Sequence, residues 1–172
     1  MSDSALFPSL PGSARLWVHV ADHDVTPQAQ KATVDVLQSF FETWDSHGRP
    51  VTAQAAWRDD RFLFVAAHID APGQSISGCA TDALVQTINQ AAQAQEIRWA
   101  SALTVAHRTP EGDVSVVPRT AFAGLASQEV VDATTPVFDP SITELRALRS
   151  GAFEQPAGST WHARAFSLAH PA

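Results

Sequence analysis

The strongest constraint on the fold lies in residues 51–69, where two apolar runs flank the charged triplet Arg58-Asp59-Asp60. Val51 to Trp57 and Arg61 to Ile69 are each of strand length, so a short polar turn between them predicts an antiparallel hairpin. Helical patterns bracket it. Upstream, Asp24-Val25-Thr26-Pro27 is a start signal, with Thr26 as N-cap and Pro27 at the first helical position. Ala29, Val34, Leu37, Phe40, Phe41 and Trp44 then give a broad apolar face to about Ser46. Gly48 suits the left-handed residue just past that helix, and Pro50 prevents its continuation. Downstream, Leu84, Val85 and Ile88 recur at helical spacing from Asp82, and Ala91, Ala92 and Ala94 carry the segment to about Gln95.

Outside the helices lie further strands. Arg15 to Ala21 alternates with period two, and Trp99 to Ala106 precedes the turn Thr109-Pro110-Glu111-Gly112-Asp113 and an extra strand, Val114 to Val117. Strand-helix-strand-strand-helix-strand is the split βαβ, or ferredoxin-like, α+β pattern: a four-stranded antiparallel sheet with both helices on one face. The expected organisation is an extended lead-in over residues 1–13, a ferredoxin-like core over 14–118, and a C-terminal appendage over 119–172. In the appendage, Ala121 to Glu129 and Ile142 to Arg149 suggest short helices, Thr135 to Asp139 an extended piece, and Trp161 to Leu168 an edge strand.

Two helices cover only one face of such a sheet. If Leu16, Val18, Val20, Leu63, Val65, Ala67 and Ile69 face the helices, then Trp17, His19, Phe62, Phe64, Ala66 and His68 line the other side. That side is too apolar to face water. Three covers are open: the appendage through Trp161 and Phe166, a second subunit in a homodimer, or a ligand. Trp17, His19, Phe62, Phe64 and His68 form a candidate binding face, since aromatic rings with imidazoles suit a flat molecule.

Composition narrows the partners. A net charge of −7, with Lys31 the sole lysine, argues against nucleic acid, whose phosphates call for many cationic contacts. One cysteine forms no internal disulfide, so a reducing compartment is the default. Met1 to Pro8 has no basic n-region, and no run approaches the roughly 18 apolar residues of a membrane span. The expectation is a soluble bacterial cytoplasmic protein with no membrane partner. There is no GxxxxGK[ST], no GxGxxG after a strand and no GxSxG, so no cofactor is expected. The absence of tyrosine removes tyrosine nucleophiles. His19 and His23 lie four apart on a strand entering a loop, not on a helix, and His19, His68 and His107 share no common face, so no metal site is expected either.

Candidate chemistry centres on Ser77-Gly78-Cys79-Ala80-Thr81-Asp82, where a loop becomes the second helix. Cys79 sits near the N-cap, and Asp82 is placed to turn back to free N–H groups as in a capping box. The helix dipole favours the nucleophilic thiolate, and Asp82 opposes it. In an enzyme, Ser77 and the backbone N–H groups would hold an oxyanion while Asp82 orients the loop. His47 is the first base to consider. The two helices are expected to run roughly parallel, however, which sets His47 about 20–25 Å from Cys79 and argues against a dyad. His19, His23 and His162 remain as alternatives. Against all of this stands the ordinary fate of a cysteine, burial as a small apolar residue.

Trp44-x-x-His47-Gly48-x-Pro50, Asp60-x-Phe62-Leu63 and Ser77-Gly78-Cys79-x-x-Asp82-x-x-Val85 resemble the pattern of a family of small uncharacterised bacterial proteins. Thr135-x-Val137-Phe138 and Trp161 match as well, so the resemblance spans about Arg15 to Trp161, and SGCxxD is its most specific piece. Members often carry the automatic label "ABC transporter ATPase", which conflicts with the missing phosphate-cradling loop. The resemblance implies no catalytic residue. It does mark Trp44, His47, Gly48, Ser77, Gly78, Cys79 and Asp82 as pattern positions. Three functions follow: a module binding a small molecule or protein near Ser77–Asp82, a cysteine-dependent acyl or thiol transferase or hydrolase using Cys79, or a structural dimerisation module.

Overall fold

The hairpin organises the core. In the computed structural model, which describes residues 6–71 and 73–168, β4 (Thr52–Arg58) and β5 (Phe62–His68) pair antiparallel from Thr52↔His68 to Arg58↔Phe62. Asp59 and Asp60 close the turn at φ 52° each, a left-handed conformation that Asp tolerates. The turn also places α1 (Pro27–Phe41): the Val25 N–H donates to the Asp60 carbonyl at 2.8 Å, and the Gln30 amide donates to the Asp60 carboxylate at 2.7 Å. Thr26 caps α1 by accepting from the Ala29 N–H at 3.3 Å.

The helix stops at Phe41, short of Ser46. Beyond it, β2 (Asp45–Ser46) and β3 (Arg49–Pro50) form a tight hairpin with His47 at φ 56° and Gly48 at φ 72°. Gly48 is therefore left-handed as expected, but in a two-residue hairpin turn and not at a helix end. The Asp45 carboxylate accepts from the Gly48 N–H at 3.0 Å and helps select that turn.

The chain is α+β, but the four-stranded sheet of the ferredoxin-like expectation does not form. β1 (Arg15–Val20) pairs antiparallel with β5 in a three-stranded sheet of order β1-β5-β4. The place of a fourth strand beside β1 is filled only at its two ends. At one end Trp99 bridges Ala21, and the Ala100 N–H donates to the Val20 carbonyl at 2.7 Å. At the other, Glu144 bridges Arg15, and the Leu16 N–H donates to the Thr143 carbonyl at 2.8 Å. Between these, Ser101 turns the chain away: its hydroxyl accepts from the Leu103 N–H at 3.1 Å and its carbonyl accepts from the Thr104 hydroxyl at 2.7 Å. Trp99 to Ala106 is thus broken at Ser101. Its second half becomes β6 (Thr104–Arg108) of a separate antiparallel sheet, order β7-β6-β8-β9, with β7 (Val114–Pro118), β8 (Pro136–Phe138) and β9 (Glu154–Pro156).

Cross-strand register decides the faces. Trp17 pairs with Val65 and His19 with Leu63, so Trp17 and His19 lie on the helix side of the sheet. Leu16, Val18 and Val20 join Phe62, Phe64 and Ala66 on the other. The sides expected for β1 are therefore reversed, those expected for β5 hold, and the candidate binding face is split between two faces. His68, half-buried opposite Thr52, alternates onto the Phe62 and Phe64 side.

Phe62 and Phe64 are fully buried by the chain itself. Phe153 meets their rings edge-on at 5.0 and 4.9 Å, and Leu6, Phe7, Leu10, Phe138, Leu145 and Leu148 complete the cover. Leu145 and Leu148 belong to α4 (Leu145–Arg149). Trp161 and Phe166, the expected cover, lie elsewhere: Phe166 packs on Phe122 of α3 (Arg119–Ser127) at 4.9 Å, and Trp161 opens α5 (Trp161–Ala165), a helix where an edge strand was expected. The Phe62 and Phe64 rings expected on an open sheet face are thus covered by other described residues.

Candidate functional site

Each helix runs back along the strand before it, and β1 and β5 are antiparallel, so α1 and α2 (Gly78–Ala94) are antiparallel too. Both ends show it. Ala29 at the start of α1 packs with Ala92 at the end of α2, while Trp44, just past α1, donates its indole N–H to the Ala80 carbonyl at 3.1 Å. The parallel arrangement expected for the helices, and with it the separation expected between His47 and Cys79, is thereby overturned.

The β2–β3 hairpin sits against the start of α2. The buried Ser46 hydroxyl accepts from the Ser77 N–H at 2.9 Å, and Trp44 stands behind it in an aromatic bank with Phe40 at 5.3 Å and Trp17 at 6.3 Å. An open groove of about 760 Å³ results, with Trp44, Asp45 and His47 on one side and Ser77, Cys79 and Ala83 on the other. Trp17 thus supports the groove from behind without lining it.

Ser77 is the N-cap of α2, its hydroxyl accepting from the Ala80 N–H at 3.2 Å. Gly78 and Cys79 occupy the first turn, and their N–H groups have no acceptor among the described residues. The Cys79 side chain is exposed, not buried as an ordinary cysteine would be. Asp82 lies too far along the helix to cap it; it is exposed and makes no hydrogen bond among the described residues. The groove therefore offers a thiol, an imidazole and two unpaired backbone donors at the positive end of a helix dipole, over an apolar floor.

Of the predicted residues, the structure brings together Trp44, His47, Ser77, Gly78 and Cys79. It leaves Asp82 outside the groove's lining, along with His19, His23 and His162. Burial beside Trp99, 5.1 Å away, pushes His19 down to about 4, and His23 bonds Asp22. Sequence reasoning missed Asp45 and Ser46. Their signal was Asp45-x-x-Gly48, a carboxylate spaced to accept the N–H of a left-handed glycine across a two-residue hairpin turn. Among the described residues no group of three or more His, Cys, Asp or Glu could hold a metal ion, and no helix is long and apolar enough to cross a membrane. Comparison of the chain with protein-family models, with curated proteins and with solved structures gives no match.

Proposed function

We propose that this chain is a small-molecule-binding α+β protein whose site is the groove between the His47 turn and the start of α2. One observation carries the proposal: the two stretches richest in family-pattern residues, Trp44 to Gly48 and Ser77 to Asp82, meet across one groove through the Ser46–Ser77 and Trp44–Ala80 hydrogen bonds. The ligand has an anionic or carbonyl oxygen for the Gly78 and Cys79 N–H groups and an apolar body for Phe40 and Ala83. We read the order β1-α1-β4-β5-α2 as a divergent split βαβ, and place the protein in the bacterial cytoplasm on its lone thiol and its resemblance.

The test is thermal shift against a panel of small carboxylates, phosphates and carbonyl compounds, with Ala83→Trp filling the groove. Stabilisation of the native chain that disappears in A83W is expected. A panel without a hit, or hits indifferent to A83W, overturns the reading.

A cysteine-dependent transferase or hydrolase is the second reading, favoured by the exposure of Cys79 in a groove that also holds His47. Its test is the rate of Cys79 alkylation across pH. Catalysis calls for a midpoint well below the free-cysteine value of about 8.5, moving up in His47→Ala. A profile like that of a free thiol in both proteins ends it.

A further inference from the structure

The unfilled fourth-strand position beside β1 leaves a second cleft, of about 450 Å³, between the two sheets. Its chemistry is independent of the groove at Cys79. Leu16 directs its N–H, and Val20 its carbonyl, away from β5 toward Thr143 and Ala100. Alternation along the strand aims the Val18 N–H and carbonyl the same way, where no described residue meets them.

His162 lies in this cleft, 2% exposed. The Thr160 hydroxyl donates to the Ala157 carbonyl at 2.9 Å, so its 2.7 Å contact with His162 Nδ1 is an imidazole N–H donating to the hydroxyl oxygen. Burial pushes the ring down to about 4, and it is therefore neutral at pH 7 with an unprotonated Nε2. Among the described residues that nitrogen has no partner. As part of the cleft lining, it is available to a donor from a ligand.

Two opposite charges flank it. Arg119 lies over the Trp161 ring at 4.9 Å and has no carboxylate partner among the described residues. Asp139 receives the Ser141 N–H at 2.9 Å and the Ser141 hydroxyl on one oxygen, and has no cationic partner. Each acts electrostatically on His162, in opposite senses, yet they form no ion pair with one another. Trp99 and His19, 5.1 Å apart, supply an aromatic wall.

We propose that this cleft binds a small zwitterion of the amino-acid type, with Arg119 taking the carboxylate, Asp139 and His162 Nε2 taking the ammonium, and Trp99 and His19 facing the side chain. The two charges stay apart because the ligand pairs with each of them. A simple anion would leave Asp139 unmatched, and a simple cation would leave Arg119 unmatched.

The experiment is calorimetric and fluorescence titration of the full chain with each of the common L-amino acids, repeated with the N-acetyl and methyl ester forms of the tightest. Saturable binding is expected, weakened about tenfold or more in Arg119→Gln and in Asp139→Asn, in line with the loss of a hydrogen bond to a charged group. The methyl ester should be indifferent to R119Q and the N-acetyl form indifferent to D139N, which separates a matched zwitterion from general damage to the cleft. No binding by any amino acid at millimolar concentration overturns the proposal, as does binding unaffected by both variants. Neither result bears on the groove at Cys79, which Ala83→Trp tests separately.

Discussion

The two faces of the β1-β5-β4 sheet are covered by different kinds of structure. The helix side is closed by α1 and α2, amphipathic segments adjacent in sequence to the strands they cover, which bury Leu37, Leu84 and Ile88 against Leu63, Val65 and Ala67. The opposite side is closed by the chain's extremities, with Leu6, Phe7 and Leu10 from one end and Phe138, Leu145, Leu148 and Phe153 from the other. Local periodicity builds the first cover. The second exists only once distant segments have returned to β5, held there in part by Glu154, which bonds both Arg58 of the hairpin and Arg108 of β6. The two hollows lie where this packing is interrupted: the groove where α1 ends early, the cleft at the edge of β1 where no fourth strand pairs.

The comparison breaks most visibly at Phe153. Phe153→Ala should cost about 3–5 kcal/mol by urea unfolding, the range for a fully buried ring, because Phe62, Phe64 and Phe138 all lose a partner. A loss under about 1 kcal/mol would show that the long-range cover is dispensable.

Acid should act next, beside the second sheet, where His162 packs with Phe122 and Phe166. The native pKa of His162 lies near 4, against an ordinary value of 6.5, so the unfolded chain takes up its proton first as pH falls. Stability is then fully present above about 6.5 and declines toward about 4, by at most about 3 kcal/mol from this residue. His19 and His107 are lowered by burial in the same sense. Urea midpoints measured across that range should fall less steeply in His162→Gln; identical slopes would remove His162 from the account.

Smaller effects test the local side. Trp44→Phe keeps the ring but deletes the bond to Ala80, and about 1 kcal/mol of stability should go with it. The same change should loosen the groove, read as faster hydrogen exchange at the Ser77 N–H. Smallest is the cap: Ser77→Ala should cost about 1 kcal/mol, while Asp82→Ala stays within about 0.5, by thermal unfolding. Equal costs would restore a capping role to Asp82.

Much of the helix side was legible because its signals are short-range. Thr26-Pro27 starts α1, Arg58-Asp59-Asp60 turns the hairpin, and Leu84, Val85 and Ile88 define α2. The groove was half legible. Its residues stand in two contiguous stretches, but their meeting depends on helix direction, which follows from strand pairing and not from spacing. The faces of β1 failed for a related reason: alternation shows that two sides differ, and only the register with β5 says which side is which. The early end of α1 was hidden because Phe41 and Trp44 continue the helical spacing into a segment that a hairpin claims.

The amino-acid sequence by itself determined the α+β character, the hairpin and the Thr26 start of α1, since these rest on bonds between residues a few positions apart. Only the tertiary structure decided that the fourth strand breaks at Ser101, that Phe153 covers Phe64, and that Cys79 and His47 share a groove. Those outcomes depend on which distant segments compete for the edge of β1 and the exposed side of β5. That competition is settled by packing the whole chain at once, with no trace in any short window of it.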